Sequence, residues 1–368
     1  MKVHAAVTRA KAAPMSLETL ELDAPRPDEI LVKLAATGIC HTDIAMRDQA
    51  FPVPQPIVLG HEGAGVVATV GSAVTKVKPG DRVVMTFNSC GHCPSCSEHA
   101  STYCYEFFGY NFSGNRPDGT SPLSKDGQRI HGNFFGQSSF ASHALCHERN
   151  VVKVPDDVPL ELLGPLACGI QTGAGAIINS LKVVMGQSLA VFGVGSVGLS
   201  AIMAARLVGA GKVIAVDLND ARLKLALELG ATHAVNARSE NAVEQIRNLT
   251  NGAGTDFTFE TTGVIPVLRQ AIDALAPRGT CGFVGASAAG SEVSVNVIDI
   301  MTAGRKIQGI VEGDSNPDVF IPRMIEFYKQ GRFPFDKLIT FYPFEKINEA
   351  IHDSEHGKAV KPVVRFPQ

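Results

Sequence analysis

Short apolar runs cut by glycine and proline dominate the first part of the chain, to about residue 165. Ile30–Leu34, Gly65–Val70 and Arg82–Thr86 alternate or run apolar, bounded by Pro25-Arg26-Pro27, Gly71-Ser72 and Pro79-Gly80-Asp81. That pattern predicts strands and turns with little helix, as in an irregular β-barrel or sandwich. The period changes after Pro165. Ser188–Phe192 reads as a strand, then come a glycine-rich turn and a helical run to Val208. Lys212–Asp217 is the next strand, and Ala221–Leu229 a helix closing at Gly230. Ala234-Val235, Asp256–Glu260, Thr280–Val284 and Lys306–Val311 read as further strands. This alternation predicts an α/β doubly wound parallel sheet with helices on both faces. Helices over Asp318–Gln330 and Phe344–Ser354 and a strand over Lys361–Phe366 end the chain. Residues 1–169 with 311–368 are expected to form one domain, and 170–310 the sheet domain.

A length of 368 residues agrees with two domains, since single cores stop growing near 250–300 residues. A net charge of −3 with interspersed signs provides no basic face, so nucleic acid is not expected as a partner. No apolar run is long enough to span a bilayer, and Met1-Lys2-Val3-His4 opens into an amphiphilic strand without a signal core. The expectation is a cytoplasmic protein with no membrane partner. In that reducing setting its eight cysteines are not a disulfide framework, and four of them crowd into fifteen residues, which suggests metal.

Gly193, Gly195 and Gly198 stand between a strand and a helix. There they suit a dinucleotide loop: a tight turn, close backbone approach to the pyrophosphate, and helix–strand packing. Asp217 ends the next strand, where a carboxylate bonds the adenosine ribose and repels a 2′-phosphate. This favours NAD over NADP, with Arg222 nearby as the residue that could instead receive a phosphate. Cys90, Cys93, Cys96 and Cys104, in a lobe of about residues 88–106, have the spacing of a closed four-thiolate zinc site, which is structural. A nucleic-acid-binding zinc ribbon is disfavoured because no Lys or Arg lies between Arg82 and Arg116. Cys40, His61 and Cys168 could furnish the three ligands of an open site, although the stretch around Cys40 taken alone reads more simply as a buried thiol in a polar turn.

Gly60-His61-Glu62-x2-Gly65-x5-Gly71-x2-Val74, Gly38-Ile39-Cys40-His41-Thr42-Asp43, the four-cysteine lobe and Cys168-Gly169-x2-Thr172 together resemble the zinc-containing medium-chain alcohol dehydrogenases. Phe134-Phe135-Gly136-Gln137-Ser138-Ser139-Phe140 and Leu162-Leu163-Gly164-Pro165 look most like the bacterial aryl-alcohol branch, with geraniol dehydrogenases close behind. The resemblance implies a GroES-like β-barrel catalytic domain joined to a Rossmann domain. It implies two zinc ions per subunit, NAD as cofactor, and a homodimer or homotetramer.

Carried over position by position, it makes Cys40, His61 and Cys168 the catalytic zinc ligands. Glu62 becomes an outer or transient ligand, Thr42 the hydroxyl that takes the substrate proton, and Asp43 the group that orients His61. Thr172, Val197, Val284 and Ala286 would abut the nicotinamide, and His41 and Lys361 the pyrophosphate; a plain surface lysine is the other reading of Lys361.

Two positions depart from the family pattern. Ala45 stands where longer proton relays have a histidine, and His41 where several relatives have an arginine. Phe107, Phe108, Phe112, Phe134, Phe135 and Phe140 suggest an apolar pocket, or simply core. The expected reaction is hydride transfer from an aromatic or allylic primary alcohol to NAD, giving the aldehyde reversibly. The alternatives are a glutathione-dependent formaldehyde or short-alkyl alcohol dehydrogenase and a non-catalytic zinc- and dinucleotide-binding protein. Phe108 stands where the glutathione-dependent enzymes carry an arginine, which disfavours the first.

Overall fold

The computed structural model describes residues 1–367. They fall into two compact units, one of Met1–Cys168 with Asn316–Glu326 and the chain from Asp336 onward, the other of Gly169–Ser315 with Phe327–Phe335.

In the first unit the strand Glu29–Gly38 is central. It pairs antiparallel with Glu62–Val70, His143–His147 and Lys361–Arg365. Ile30, Val32, Leu34 and Ala36 are buried, and so are Leu31 and Thr37 on the other face, which is why the run is apolar rather than alternating. Side chains of this kind contribute about 1.5–3 kcal/mol each on burial, so the strand is an anchored rail. Gly38 lies opposite Glu62 on one side and Val363 on the other. A second, five-stranded antiparallel sheet is built on the hairpin Lys2–Thr8 and Ser16–Leu22.

Where the sequence suggests a polar turn after Gly38, the structure has a helix, His41–Arg47. Its first turn is polar because those residues cap it: Asp43 Oδ2 accepts from the Cys40 backbone N–H at 3.0 Å. Ile44 and Met46 bury the opposite face. A second unanticipated helix spans Phe107–Phe112.

The second unit is a six-stranded sheet whose strands, in chain order, are arranged 3-2-1-4-5-6 and are all parallel. This is the doubly wound dinucleotide-binding order, with its ligand crevice at the carboxyl ends of the strands. Ser188–Phe192 and Lys212–Asp217 have the bounds read from the sequence. The fifth strand, Leu275–Phe283, begins earlier than expected because a register shift accommodates its Pro277-Arg278-Gly279 segment. The sixth ends at Gly309, before a tight turn at Glu312–Asp314. No helix among the described residues is long and apolar enough to cross a membrane.

Candidate functional site

Cys40 caps the helix His41–Arg47, His61 and Glu62 stand at the start of the strand Glu62–Val70, and Cys168 follows the turn Gly164–Ala167. One ligand atom from each of Cys40, His61, Glu62 and Cys168 lies within 4.8 Å of the other three. Residues 128 positions apart in sequence are thus brought together by the central sheet.

Asp43 organises this cluster. Its Oδ1 lies 2.9 Å from His61 Nδ1 and accepts from the Gly60 N–H at 3.0 Å. Both side chains of the His61–Asp43 pair are fully buried. With Nδ1 turned to Asp43, Nε2 is the His61 ring atom left for a metal, and it is a buried nitrogen with no hydrogen-bond partner. Burial opposes charging of His61, but the Asp43 carboxylate and the Cys40 thiol outweigh it and raise the imidazole well above its usual value. The Cys168 thiol, working against burial, holds Cys40 well below the ordinary thiol range. An orphaned imidazole nitrogen beside two thiols, one of them acidified, fits a metal ion with the two-cysteine, one-histidine set of catalytic zinc. Thr42 is half-buried, its Oγ1 3.7 Å from Cys40 Sγ. His41 is exposed, and Ala45 packs against the core.

Lys361 is not the plain surface lysine that was its other reading. It is 1% exposed, and its Nζ lies 2.8 and 2.9 Å from the two Glu62 oxygens and 3.2 Å from the Ile39 carbonyl. A buried ammonium needs a counter-charge, and Glu62 supplies it.

The segment Asn133–Ser138, read from the sequence only as part of an aromatic pocket, also frames His61. Phe135 stacks on the imidazole at 4.5 Å and Phe134 meets it edge-on at 5.7 Å. Asn133, Phe135 and Ser138 all have positive φ, a strained arrangement that persists only where the surroundings enforce it. The buried Gln137 does so: its Nε2 donates to the His61 carbonyl at 3.0 Å and its Oε1 accepts from the Gly63 N–H at 3.2 Å. Its role was not legible in the sequence, where one glutamine carries no signal. Phe140 is a fully buried core residue, and the buried Phe134 and Phe135 join Phe107 and Phe112 in a connected ring cluster ending at the exposed Phe108.

Cys90, Cys93, Cys96 and Cys104 form the second cluster. The backbone N–H groups of Cys93 and Cys90 donate to Cys90 Sγ and Cys104 Sγ, each at 3.3 Å, which suits thiolates. The Tyr105 N–H brings the Cys93 thiol down to about 6, and burial pushes Cys104 up to about 12. A set of four sulfurs fits a closed tetrahedral site.

In the second unit Gly193 (φ +85°) turns the chain out of the first strand, and Val197 and Gly198 lie in the first turn of the helix Ser196–Leu207. A Cβ on Gly198 would stand 2.0 Å from the Gly193 carbonyl, whereas one on Gly195 would meet open space. That is the cradle a pyrophosphate requires. Asp217 Oδ2 accepts from the Val194 N–H of this loop at 2.7 Å, and its Oδ1 accepts from Leu218 and Asn219. Arg222 is half-buried with no hydrogen-bond partner for Nε. Val284 is half-buried and Ala286 exposed, just past the fifth strand's carboxyl end. Thr172 is buried and donates to Glu312 Oε2 at 3.3 Å. Glu312 and Asp314, at φ 50° and 49°, flank Gly313 in a strained turn for which the sequence held no signal.

Known proteins bear on these sites. Residues 26–156 match the alcohol dehydrogenase GroES-like domain and residues 196–330 the zinc-binding dehydrogenase domain. A geraniol dehydrogenase of Castellaniella defragrans is 49% identical over 367 residues, 100% of this chain and 98% of the relative. A crystal structure of an alcohol dehydrogenase zinc-binding domain protein from Burkholderia ambifaria superposes with a TM-score of 0.98 at 54% identity, over 100% of both chains. The benzyl alcohol dehydrogenase of Acinetobacter calcoaceticus does so with a TM-score of 0.97 at 46% identity, again over 100% of both. The fold is therefore a GroES-like domain with a Rossmann domain, and the chain belongs to the zinc-binding medium-chain alcohol dehydrogenase family.

Proposed function

We propose that this alcohol dehydrogenase oxidises aromatic or allylic primary alcohols, of the benzyl, cinnamyl or geraniol type, to aldehydes with NAD, reversibly. The observation that carries the reading is the convergence of the half-buried Cys40 with the buried His61 and Cys168, around a His61 Nε2 with no hydrogen-bond partner. Zinc held there would polarise the alcohol oxygen as a Lewis acid, and NAD would accept the hydride from the alcohol carbon.

The remaining roles belong to the chain. Thr42 Oγ1, beside Cys40, would accept the hydroxyl proton while passing its own on, and Ala45 has no group to carry that proton further. Asp43 fixes the tautomer of His61. The cluster of Phe107, Phe112 and Phe135 suits a planar apolar substrate, and the exposed Phe108 offers a ring rather than a charge to a glutathione adduct. The identities with a geraniol and a benzyl alcohol dehydrogenase favour the same substrate class. Asp217 favours NAD over NADP, and the four-cysteine lobe makes a second, structural zinc the expected complement. Lys306–Gly309 is the last strand in the order of the six-stranded sheet, with Ile307 exposed, beside exposed Val297, Ile298 and Met301 on the preceding helix. Such an edge favours a homo-oligomer, dimer or tetramer, formed by continuing the sheet.

The test is a panel of benzyl alcohol, geraniol, ethanol and S-hydroxymethylglutathione against NAD and NADP on zinc-loaded protein. Highest kcat/KM for benzyl alcohol or geraniol with NAD is expected. Preference for the glutathione adduct would overturn the substrate reading.

A further inference from the structure

The ion pair between Lys361 and Glu62 crosses a strand. Glu62 is opposite Gly38 in one neighbour of the central strand, and Val363 is opposite Gly38 in the other. Two strand spacings separate those neighbours, about 10 Å, so their side chains meet only by passing over the middle strand. Gly38 permits this, since a Cβ there would stand 2.0 Å from Glu62 Oε2. The carboxylate fills the space the missing side chain leaves, and the ammonium closes on both its oxygens.

Glu62 also belongs to the Cys40–His61–Cys168 cluster, with an oxygen within 4.8 Å of every other donor. Four donors at that separation would close a tetrahedral site, and a closed site has no position for an alcohol. Two thiolates balance a divalent ion, so Glu62 needs a further cation if it is to stay outside, and Lys361 contacts it as such a cation.

We infer that Lys361 is a positioning residue that holds the Glu62 carboxylate off the metal and so keeps the fourth coordination position open. The inference rests on the metal site proposed above. Loss of the ammonium, without loss of the carboxylate, removes the counter-charge that draws Glu62 away from the ion and lets it compete with an outside ligand.

The test uses cobalt exchanged into the full chain, with Cys40→Ser protein as the baseline for the four-cysteine lobe. Imidazole binding is followed through the cobalt d–d bands. In Lys361→Met the resting bands shift and imidazole affinity falls about tenfold or more, the usual reach of an outer contact on a metal site. The double variant Glu62→Gln/Lys361→Met regains wild-type affinity. Glu62→Gln alone, which keeps the side chain's shape, binds imidazole within about twofold of wild type. Wild-type affinity in Lys361→Met overturns the inference. So does a tenfold gain in Glu62→Gln, which would mean that the carboxylate already competes; this arm stands even if Lys361→Met fails to fold. Cobalt bands unchanged between wild type and Cys40→Ser would overturn the metal-site reading itself.

Discussion

Replacing Asp43 by asparagine changes one buried atom and three contacts. Asp43 accepts from His61 Nδ1 and the Gly60 N–H through one oxygen and from the Cys40 N–H through the other. An asparagine can satisfy one side with its carbonyl, but its amide then points a donor at the other side's donors. If the carbonyl keeps His61, the Cys40 N–H is left facing an N–H, at a cost of about 1–3 kcal/mol to the fold. The second effect falls on zinc. Without the carboxylate the imidazole loses its charge partner and the pull that fixes Nε2 toward the ion. Outer contacts of this kind change metal affinity by about 10- to 100-fold, or roughly 1.4–2.7 kcal/mol. Competition with a chromophoric chelator measures this directly, reading only the ion released first in Asp43→Asn relative to wild type. Zinc held within about twofold of wild type by Asp43→Asn would refute the reasoning, whatever happened to activity.

Other expected outcomes follow from the same structure. Cys104→Ser should lower bound zinc from two ions per chain to one by metal analysis and reduce thermal stability, because the lobe loses its fastening. Gly198→Ala places a methyl group 2.0 Å from the Gly193 carbonyl, and overpacking of about 1–3 kcal/mol at that contact should weaken NADH roughly tenfold by fluorescence titration while zinc content is unchanged. Glu18 is bound by Arg9, with Lys125 and Ser16 behind it, and its carboxyl is held at about 2, against an ordinary value of 4.5. A depressed folded value stabilises above the ordinary one and is lost as pH falls through about 2. The stability gap between wild type and Glu18→Gln, from urea unfolding at several pH values, should therefore be full near neutrality and close below about pH 4; a gap that widens on acidification contradicts it.

The two units differed in how far the sequence revealed them. Ser188–Phe192 and Lys212–Asp217 are buried parallel strands whose apolar runs need only local reading, and the glycines between strand and helix marked the loop. The first unit was less transparent because its helices break periodicity for local reasons. His41–Arg47 begins with the polar residues that cap it and serve the site. The metal-site residues were legible through their motifs. Their supports were not. Gln137 lies 76 residues from the His61 carbonyl it holds, and Lys361 lies 299 from Glu62. That contact depends on strand register and on an absent side chain at Gly38, neither of which sequence pattern displays.

The central claim is that an alcohol held at Cys40, His61 and Cys168 gives its hydride to NAD. Benzyl alcohol carrying two deuterium atoms on the alcohol carbon tests it in one measurement, by mass spectrometry of the reduced cofactor after a single turnover. The account predicts one deuterium in the reduced cofactor for the wild-type protein and none formed by Cys168→Ser. Reduced cofactor without deuterium, or equal transfer in Cys168→Ser, would contradict it.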